Sequence, residues 1–251
     1  MRQPYIGITG FMTRQEIEHM LAQFPSDSDR RLMVGVLASS KTIRGLPVNW
    51  AGRYPDVREI NQIFVRSLKA LNLIHFHHSN THGDSLVNEL LLLASIAGPN
   101  LNGFQLNVRW PDPLVLREVK LVHPDLKFVL QIGGGAMKAV GHDVVKLANQ
   151  VAEYDGLVDY LLLDPSGGTG TPFNTDLALQ YLRVLSLRGF DIGLGVAGGL
   201  GPDNLGCLLS IAREFPQVSI DAEGRLRSGE DDHLDLENAS TYLVRALRAL
   251  P

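Results

Sequence analysis

The chain has 251 residues, 45% of them hydrophobic and 20% charged, which excludes a disordered or fibrous protein. Its net charge of −4 and isoelectric point near 6.0 offer no basic surface, so we predict no nucleic-acid partner. The apolar runs are too short to cross a bilayer, and the N-terminus lacks the pattern of a signal peptide, so no membrane association is expected. Cys207 is the only cysteine, which excludes an internal disulfide and predicts a reducing, cytoplasmic location.

Short apolar runs alternate with amphipathic segments along the whole chain, with no linker between them. The runs predict eight strands, at Tyr5–Thr9, Leu32–Ala38, Asn72–His77, Asn102–Asn107, Lys127–Gln131, Val158–Leu163, Asp191–Ala197 and Val218–Asp221. The amphipathic segments predict helices at Arg14–Gln23, Val57–Leu71, Ser85–Ala97, Asp112–Leu121, Val140–Glu153, Thr175–Leu187, Pro202–Arg213 and Leu236–Leu250. Eight such pairs predict an α/β protein, a single (β/α)8 TIM barrel over residues 1–251, with a doubly wound open sheet as the alternative.

The end of the sixth strand carries the clearest functional signal. The strand stops at Asp164, and a turn that contains Gly168 and Gly170 follows. Reactive groups of (β/α)8 enzymes lie at the C-terminal ends of the strands, and glycine N–H groups can approach an anion such as phosphate closely. This stretch therefore indicates a catalytic carboxylate beside an anion site, with a solvated aspartate in an ordinary turn as the alternative.

Glycines also follow the seventh and eighth strands. Gly198 and Gly199 precede Pro202, which we expect at the first position of a helix, and Gly224 follows the eighth strand. The N-terminus of a helix attracts anions, and phosphate sites of this fold lie after these two strands. We therefore predict that the glycines contribute to phosphate binding, with plain turns between strand and helix as the alternative.

Histidines end the third strand, where His75 and His77 point to one face and His78 to the other. A metal site needs three or four converging ligands, and nothing in this spacing fixes such a geometry. We predict no metal and no other cofactor, and ordinary hydrogen bonds for histidines that face the barrel interior.

Several of these motifs resemble the phosphoribosylanthranilate isomerase family of tryptophan biosynthesis. LLLDPSGGTGTPFN is similar to the family's LLD…GGTGKTFDW, VAGGLGPDNL to LAGGLNPENV, and SIDAEGRLRSGEDDH falls where the family has VDVSSGVE…PGKKDH. Fainter similarity links GFQLNVRWPDPLVLREV to the family's fourth strand, VGVLASSKTIR to GFVFYPKSKR, and YIGITGFMTRQE to ICGITNLED. The similarity covers nearly the whole barrel and is sharpest in the last third.

The family carries out an Amadori rearrangement of a phosphoribosyl amine. A strand-six aspartate is its general acid, a strand-one cysteine its general base, and an arginine after strand two holds the anthranilate carboxylate. The resemblance places Asp164 on the acid and Arg44 on the arginine. It also places a set of glycines in the phosphate region, namely Gly168, Gly170, Gly198, Gly199 and Gly224.

The chain departs from the family at the general base. Ile6 stands where the family has its cysteine, and an isoleucine side chain cannot accept a proton. Another base is required, with His75, His77 and Asp221 as candidates. If the match is correct, the protein isomerises phosphoribosylanthranilate poorly, and Ile6→Cys gains activity.

The rest of the predicted substrate site follows from neighbouring strand ends. Thr9 and Gln105 end the first and fourth strands, and Glu223 stands in place of a family serine. A carboxylate at that place repels a phosphate dianion unless it turns away or pairs with Arg225 or Arg227.

The leading hypothesis is an isomerase-type enzyme that acts on a small phosphorylated, sugar-derived ligand, with Asp164 as general acid. One alternative is a catalytically silent barrel that binds a small molecule. Another is a carbohydrate-processing enzyme with Asp164 and Glu223 as its two carboxylates. The expected partner is a small molecule, the expected assembly a monomer or homodimer, and Asp164, Gly199 and Glu223 are expected at one mouth of the barrel.

Overall fold

The computed structural model describes residues 2–78, 84–165, 173–229 and 231–250. Eight parallel strands close a barrel in chain order. They are β1 (Tyr5–Thr9), β2 (Arg31–Ser39), β3 (Ala70–His77), β4 (Gly103–Asn107), β5 (Lys127–Gly133), β6 (Tyr160–Asp164), β7 (Gly193–Ala197) and β8 (Ser219–Ala222). The predicted (β/α)8 barrel is confirmed, and the open doubly wound sheet is wrong.

The α-helices of the described residues follow the strands. They are α1 (Arg14–Ala22), α2 (Ser40–Ile43), α3 (Ile60–Ile63), α4 (Asp84–Ala97), α5 (Pro113–Val122), α6 (Gly134–Ala139), α7 (Val144–Val151), α8 (Thr175–Ser186), α9 (Leu209–Glu214) and α10 (Leu236–Ala249). None of them is long and apolar enough to cross a membrane.

Strand residues alternate between two separate cores. Outward residues such as Ile6 and Ile8 pack beneath the helices. Inward residues such as Tyr5 and Tyr160 fill the barrel, and these two rings meet edge to face with centroids 5.2 Å apart. Because apolar side chains fill the barrel interior below them, the inward polar residues at the C-terminal strand ends form the floor of an opening.

The helix predicted over Val57–Leu71 is wrong for most of its length. A 3₁₀ turn covers Val57–Glu59, α3 covers Ile60–Ile63, and β3 already begins at Ala70. The Arg14 guanidinium donates to the carbonyls of Gln62 (3.0 Å) and Phe64 (2.8 Å). These carbonyls are therefore satisfied without a continuing helix.

The helix predicted over Val140–Glu153 is shorter at both ends. Gly141 has a φ of +69° and follows α6. Asp143 then caps α7, because its carboxylate accepts hydrogen bonds from the N–H groups of Val145 (2.8 Å) and Lys146 (3.0 Å).

Candidate active site

A cavity of about 550 Å³ opens at the C-terminal ends of the strands. Asp164, Gly199 and Glu223, which the sequence placed at one mouth, all line this cavity, together with His75 and Asp221. The barrel therefore brings two aspartates from different strands into one polar opening.

The two aspartates are joined by a chain of side-chain hydrogen bonds. Asp221 accepts from the Thr9 hydroxyl (3.2 and 3.3 Å) and from Gln105 Nε2 (3.0 Å). Gln105 Nε2 also lies 3.4 Å from Gln131 Oε1, and Gln131 Nε2 donates to Asp164 Oδ2 at 2.9 Å. Each of the five residues comes from a different strand, so the rigid barrel fixes their relative positions.

Asp221 titrates near neutral pH. Burial raises the pKa of its carboxyl group to about 7, and the negative charge of Glu223 acts in the same direction. The hydrogen bonds from Gln105 and Thr9 lower the pKa and only partly offset burial. A carboxyl group with such a pKa can both accept and release a proton at physiological pH.

The predicted histidines lie in different places. His75 is buried in the first cavity, and burial lowers the pKa of its imidazole, so the ring is neutral at pH 7. Its Nδ1 has no hydrogen-bond partner within the described structure and lies 3.9 Å from Glu223 Oε2. His77 is more exposed and lines a second cavity, so His75 alone of the two accompanies the aspartates.

Glu223 is held by arginines. Arg53 Nη1 lies 3.0 Å from Glu223 Oε1, and Arg227 Nη2 lies 3.7 Å from the same oxygen. The predicted pairing with Arg227 is present, while Arg225 lines the cavity without an ion pair among the described residues. The negative charge of Glu223 is therefore compensated by two guanidinium groups.

The loop after β7 differs from the prediction. A helix does not begin at Pro202, because a turn and a 3₁₀ segment at Leu205–Leu208 come before α9. The Asn204 side chain closes this loop, accepting from the N–H of Gly201 (2.9 Å) and donating to the carbonyl of Gly199 (2.7 Å). The prediction that a helix begins at Pro202 is therefore wrong, so a helix N-terminus at that place cannot provide the anion site.

The glycines nevertheless line the first cavity. Gly198 and Gly199 adopt φ values of +106° and +64°, which favour glycine, and Gly224 lines the same cavity after β8. Gly201 packs so closely on Arg225 that a Cβ there would lie 2.9 Å from Arg225 Cβ. This contact holds the Arg225 side chain next to the loop that contains Gly198 and Gly199. Gly168 and Gly170 lie outside the described residues.

Arg44 does not lie with the aspartates. It lines the second cavity, of about 320 Å³, and its Nε donates to the carbonyl of Ser40 at 2.8 Å. Within the described ranges no three histidine, cysteine, aspartate or glutamate side chains converge as metal ligands do.

The expectation that residue 6 occupies the place of a catalytic base in the cavity is wrong. Ile6 points outward into the core beneath the helices, and Gly7 is the inward residue. A Cβ on Gly7 would lie 2.7 Å from Asp221 Oδ1, so the Asp221 carboxylate fills the space that a strand-one side chain would take.

A thiol at position 6 therefore cannot reach the cavity. We expect Ile6→Cys to leave any isomerase activity unchanged and to cost about 1 kcal/mol of stability, because it removes buried methyl groups. Steady-state kinetics and urea unfolding test both expectations. A clear gain in turnover would show that β1 presents its other face.

The sequence did not single out Gln131 and Arg53 as functional. Gln131 carried a usable signal, since it is a polar residue between the apolar residues Leu130 and Ile132 near the end of β5, and it faces inward. Arg53 carried none, because its partners Glu223 and Asp232 are 170 and 179 residues away in the chain.

Together, the closed barrel and the polar strand ends define a (β/α)8-barrel protein with a polar cavity at the C-terminal ends of its strands. No protein-family model matches the chain, and no curated protein sequence is similar to it. Solved structures do match. Triosephosphate isomerase from Bartonella henselae is similar with a TM-score of 0.58 at 11% identity, over 98% of this chain and 99% of that one.

Two further similar structures are of proteins whose names give other activities. A 3-keto-L-gulonate-6-phosphate decarboxylase from Vibrio cholerae is similar with a TM-score of 0.56 at 12% identity, over 99% of each chain. The catalytic domain of a chitinase from Pyrococcus furiosus is similar with a TM-score of 0.59 at 12% identity, over 100% of this chain and 96% of that one. At such identities the comparisons establish the barrel fold alone.

Proposed function

We propose that this protein is an isomerase-type enzyme that transfers protons on a small phosphorylated, sugar-derived substrate. The observation that carries the proposal is the position of Asp221. Its carboxyl group lies in the first cavity, has a pKa of about 7, and is linked through two glutamines to a second carboxylate, Asp164.

The two aspartates suit the two proton transfers of such a reaction. In the ring-opening step, Asp164 donates a proton to the ring oxygen as the C1–O bond breaks, and a lone pair of the nitrogen or oxygen substituent on C1 forms a C1=N or C1=O double bond. The Asp221 carboxylate then removes the proton from C2, the released electron pair forms the C1=C2 double bond, and the electron pair of the C1=N or C1=O bond returns to the substituent. This assignment keeps Asp164 as general acid and gives the role of the missing cysteine to Asp221, which occupies the space beside Gly7.

The phosphate group has a suitable place in the same cavity. Gly198, Gly199 and Gly224 bring backbone close to the opening, and Arg225 adds a positive charge with no ion-pair partner in the part of the chain that is described. Phosphate sites in this fold commonly lie after the seventh and eighth strands. The names of two structural neighbours, the triosephosphate isomerase and the gulonate-6-phosphate decarboxylase, also include phosphorylated compounds.

The narrower hypothesis is isomerisation of phosphoribosylanthranilate in tryptophan biosynthesis. Its support is the sequence resemblance together with Asp221 as a replacement base. The carbohydrate-processing alternative has less support, because Arg53 and Arg227 already engage the Glu223 carboxylate that it needs.

Proton abstraction can be tested without knowing the substrate. The protein is incubated in D₂O with phosphoribosylanthranilate, ribulose 5-phosphate, fructose 6-phosphate and glucose 6-phosphate, and NMR follows isomerisation and loss of the C–H signal next to the carbonyl. We expect exchange with at least one compound and no detectable exchange on the same timescale with Asp221→Asn, because the Asp221 carboxylate is the group that removes the C2 proton. If the sugar phosphates bind but the protein exchanges no proton, the barrel is a silent binding protein.

Arg225→Ala tests the phosphate assignment. We expect it to weaken binding of the accepted sugar phosphate about tenfold, because a charge-assisted hydrogen bond is lost, and to leave kcat nearly unchanged. Isothermal titration of the sugar phosphate and of its unphosphorylated form measures the effect. Arg183→Ala is the matched control, since Arg183 pairs with Glu214 on the surface. Equal losses for both compounds would contradict a phosphate contact.

A further inference from the structure

His75 reaches the first cavity from the wall of the barrel. On β3 it follows Leu71 and Leu73, which fill the barrel interior, so strand alternation turns its imidazole inward as well. The side chain is only 6% exposed and lines the cavity, yet its Nδ1 has no hydrogen-bond partner among the described residues. A buried polar atom is costly to leave unsatisfied, so this nitrogen points to a bound group that would satisfy it.

Glu223 presents a matching acceptor in the same cavity. Its Oε1 accepts from Arg53 Nη1 at 3.0 Å and lies 3.7 Å from Arg227 Nη2. Its Oε2 receives no hydrogen bond in the described ranges of the chain, and a quarter of the side chain is exposed. The two arginines therefore hold the carboxylate and compensate its charge through one oxygen, while the other oxygen stays available to a donor on a ligand.

The spacing of these two atoms suits one hydroxyl group. His75 Nδ1 and Glu223 Oε2 lie 3.9 Å apart, which is too far for a direct hydrogen bond. A single oxygen atom can lie about 2.8 Å from each of them. The negative charge of Glu223 favours the neutral tautomer whose hydrogen is on Nδ1, the nitrogen that faces the carboxylate. A hydroxyl oxygen can therefore accept from Nδ1–H and donate its own hydrogen to Oε2, and hydrogen bonds to a carboxylate are strong.

We infer that His75 and Glu223 form a binding subsite for one hydroxyl group of the ligand, and that this pair makes the first cavity selective for sugar phosphates over the corresponding deoxy compounds. The inference rests on the proposed function, because the hydroxyl group would belong to the sugar part of the proposed substrate. A ligand that lacks this group leaves both polar atoms without a partner, which is why such sites discriminate strongly. The pair also gives Glu223 a use in a cavity where an uncompensated carboxylate would repel phosphate.

Isothermal titration with D-ribose 5-phosphate and with its 2-deoxy and 3-deoxy analogues tests the inference. We expect at least one analogue to bind the wild-type protein about 10- to 100-fold more weakly than ribose 5-phosphate, because a hydrogen bond to a charged group is lost. Inorganic phosphate, which has no sugar part, is titrated in parallel and reports on the phosphate contact alone.

Glu223→Gln keeps the size of the side chain but should abolish the preference for ribose 5-phosphate. Arg53 and Arg227 are donors, so the amide oxygen turns toward them and the NH₂ group is left at the cavity, where it cannot accept from a hydroxyl group. We expect the affinity for ribose 5-phosphate to fall to that of the weaker analogue, while inorganic phosphate binds as in wild type or more tightly. Glu214→Gln is the matched control, because Glu214 also pairs with an arginine, Arg183, but on the surface.

His75 variants give a second measurement. His75→Phe keeps a ring of similar size without a nitrogen and should lose the preference. His75→Asn, whose amide nitrogen can take the place of Nδ1, should keep most of it. Should His75→Phe fail to fold, Glu223→Gln with its control carries the test.

Equal binding of ribose 5-phosphate and both analogues by the wild-type protein, or no binding of any of them, would overturn the inference. So would an unchanged preference in Glu223→Gln. The proposed function fails on a different result, the absence of proton exchange in D₂O, because a preference measured by titration does not depend on turnover.

Discussion

Asp221→Asn is expected to lower turnover of the accepted sugar phosphate by about 10²–10⁴-fold, which corresponds to roughly 3–5 kcal/mol of transition-state stabilisation. The amide cannot accept the C2 proton. It can still accept from Gln105 and donate to the Thr9 hydroxyl, so the geometry of the cavity is retained. Stopped-flow or NMR kinetics of wild type and variant give the ratio of kcat values, and titration of the product checks that binding survives.

Asp159→Asn is the matched control for turnover. Asp159 is also buried, but it follows Val158 at the opposite end of β6 from Asp164 and is bound by Arg2 (3.0 Å) and the N–H of Phe128 (3.0 Å). It should leave kcat within about twofold of wild type. If Asp221→Asn kept more than a tenth of wild-type turnover, Asp221 would not be the base, and His75 would become the leading candidate.

Asp221→Asn is also expected to be more stable than wild type above neutral pH. The pKa of Asp221 is about 7 in the folded protein, against roughly 3.9 in an unfolded chain. Its protonated form is favoured by folding, so its contribution to stability is fully present below about pH 4 and is lost as pH rises through 7. Three pKa units correspond to about 4 kcal/mol.

Urea unfolding at several pH values measures this difference. We expect the free energies of unfolding of wild type and Asp221→Asn to agree near pH 4 and to separate to several kcal/mol by pH 8, with the variant the more stable. Asp159→Asn should instead be less stable than wild type at pH 8, because it removes a paired buried charge. Curves for wild type and Asp221→Asn that run parallel across the range would contradict a buried, costly carboxylate at this position.

The strands were predictable because their apolar runs are short and bounded by turn residues, and so were the acid that ends β6 and Asp221 on β8. The sequence did not, however, allow us to predict which residues of β1 point into the barrel. Tyr5, Ile6 and Ile8 are all apolar, and a parallel strand buried on both sides shows no alternation that would reveal which residues point inward. Matching three residues to a family motif therefore fixed the sequence position of Ile6 but not its face.

Contacts between distant segments account for the remaining differences. The helix expected after Val57 depended on local spacing, and Arg14, far away in the chain, binds the carbonyls that would have continued it. The compensation of Glu223 depends likewise on Arg53, which lies on the connection between β2 and β3. Side-chain pairing across a barrel mouth leaves no periodic trace in the sequence, whereas strand and helix patterns do.

The hydrogen-bonded chain from Thr9 to Asp164 lies entirely on strands, while Arg225 lies on the connection after β8. The groups to which we assign proton transfer thus belong to the rigid framework, and Arg225, to which we assign the phosphate, belongs to a connection of the kind that tolerates replacement. Substitution of Arg225 would alter the proposed phosphate contact while the hydrogen-bonded chain on the strands stays in place. The proposed binding of the phosphate and the proposed proton transfer can therefore be changed separately.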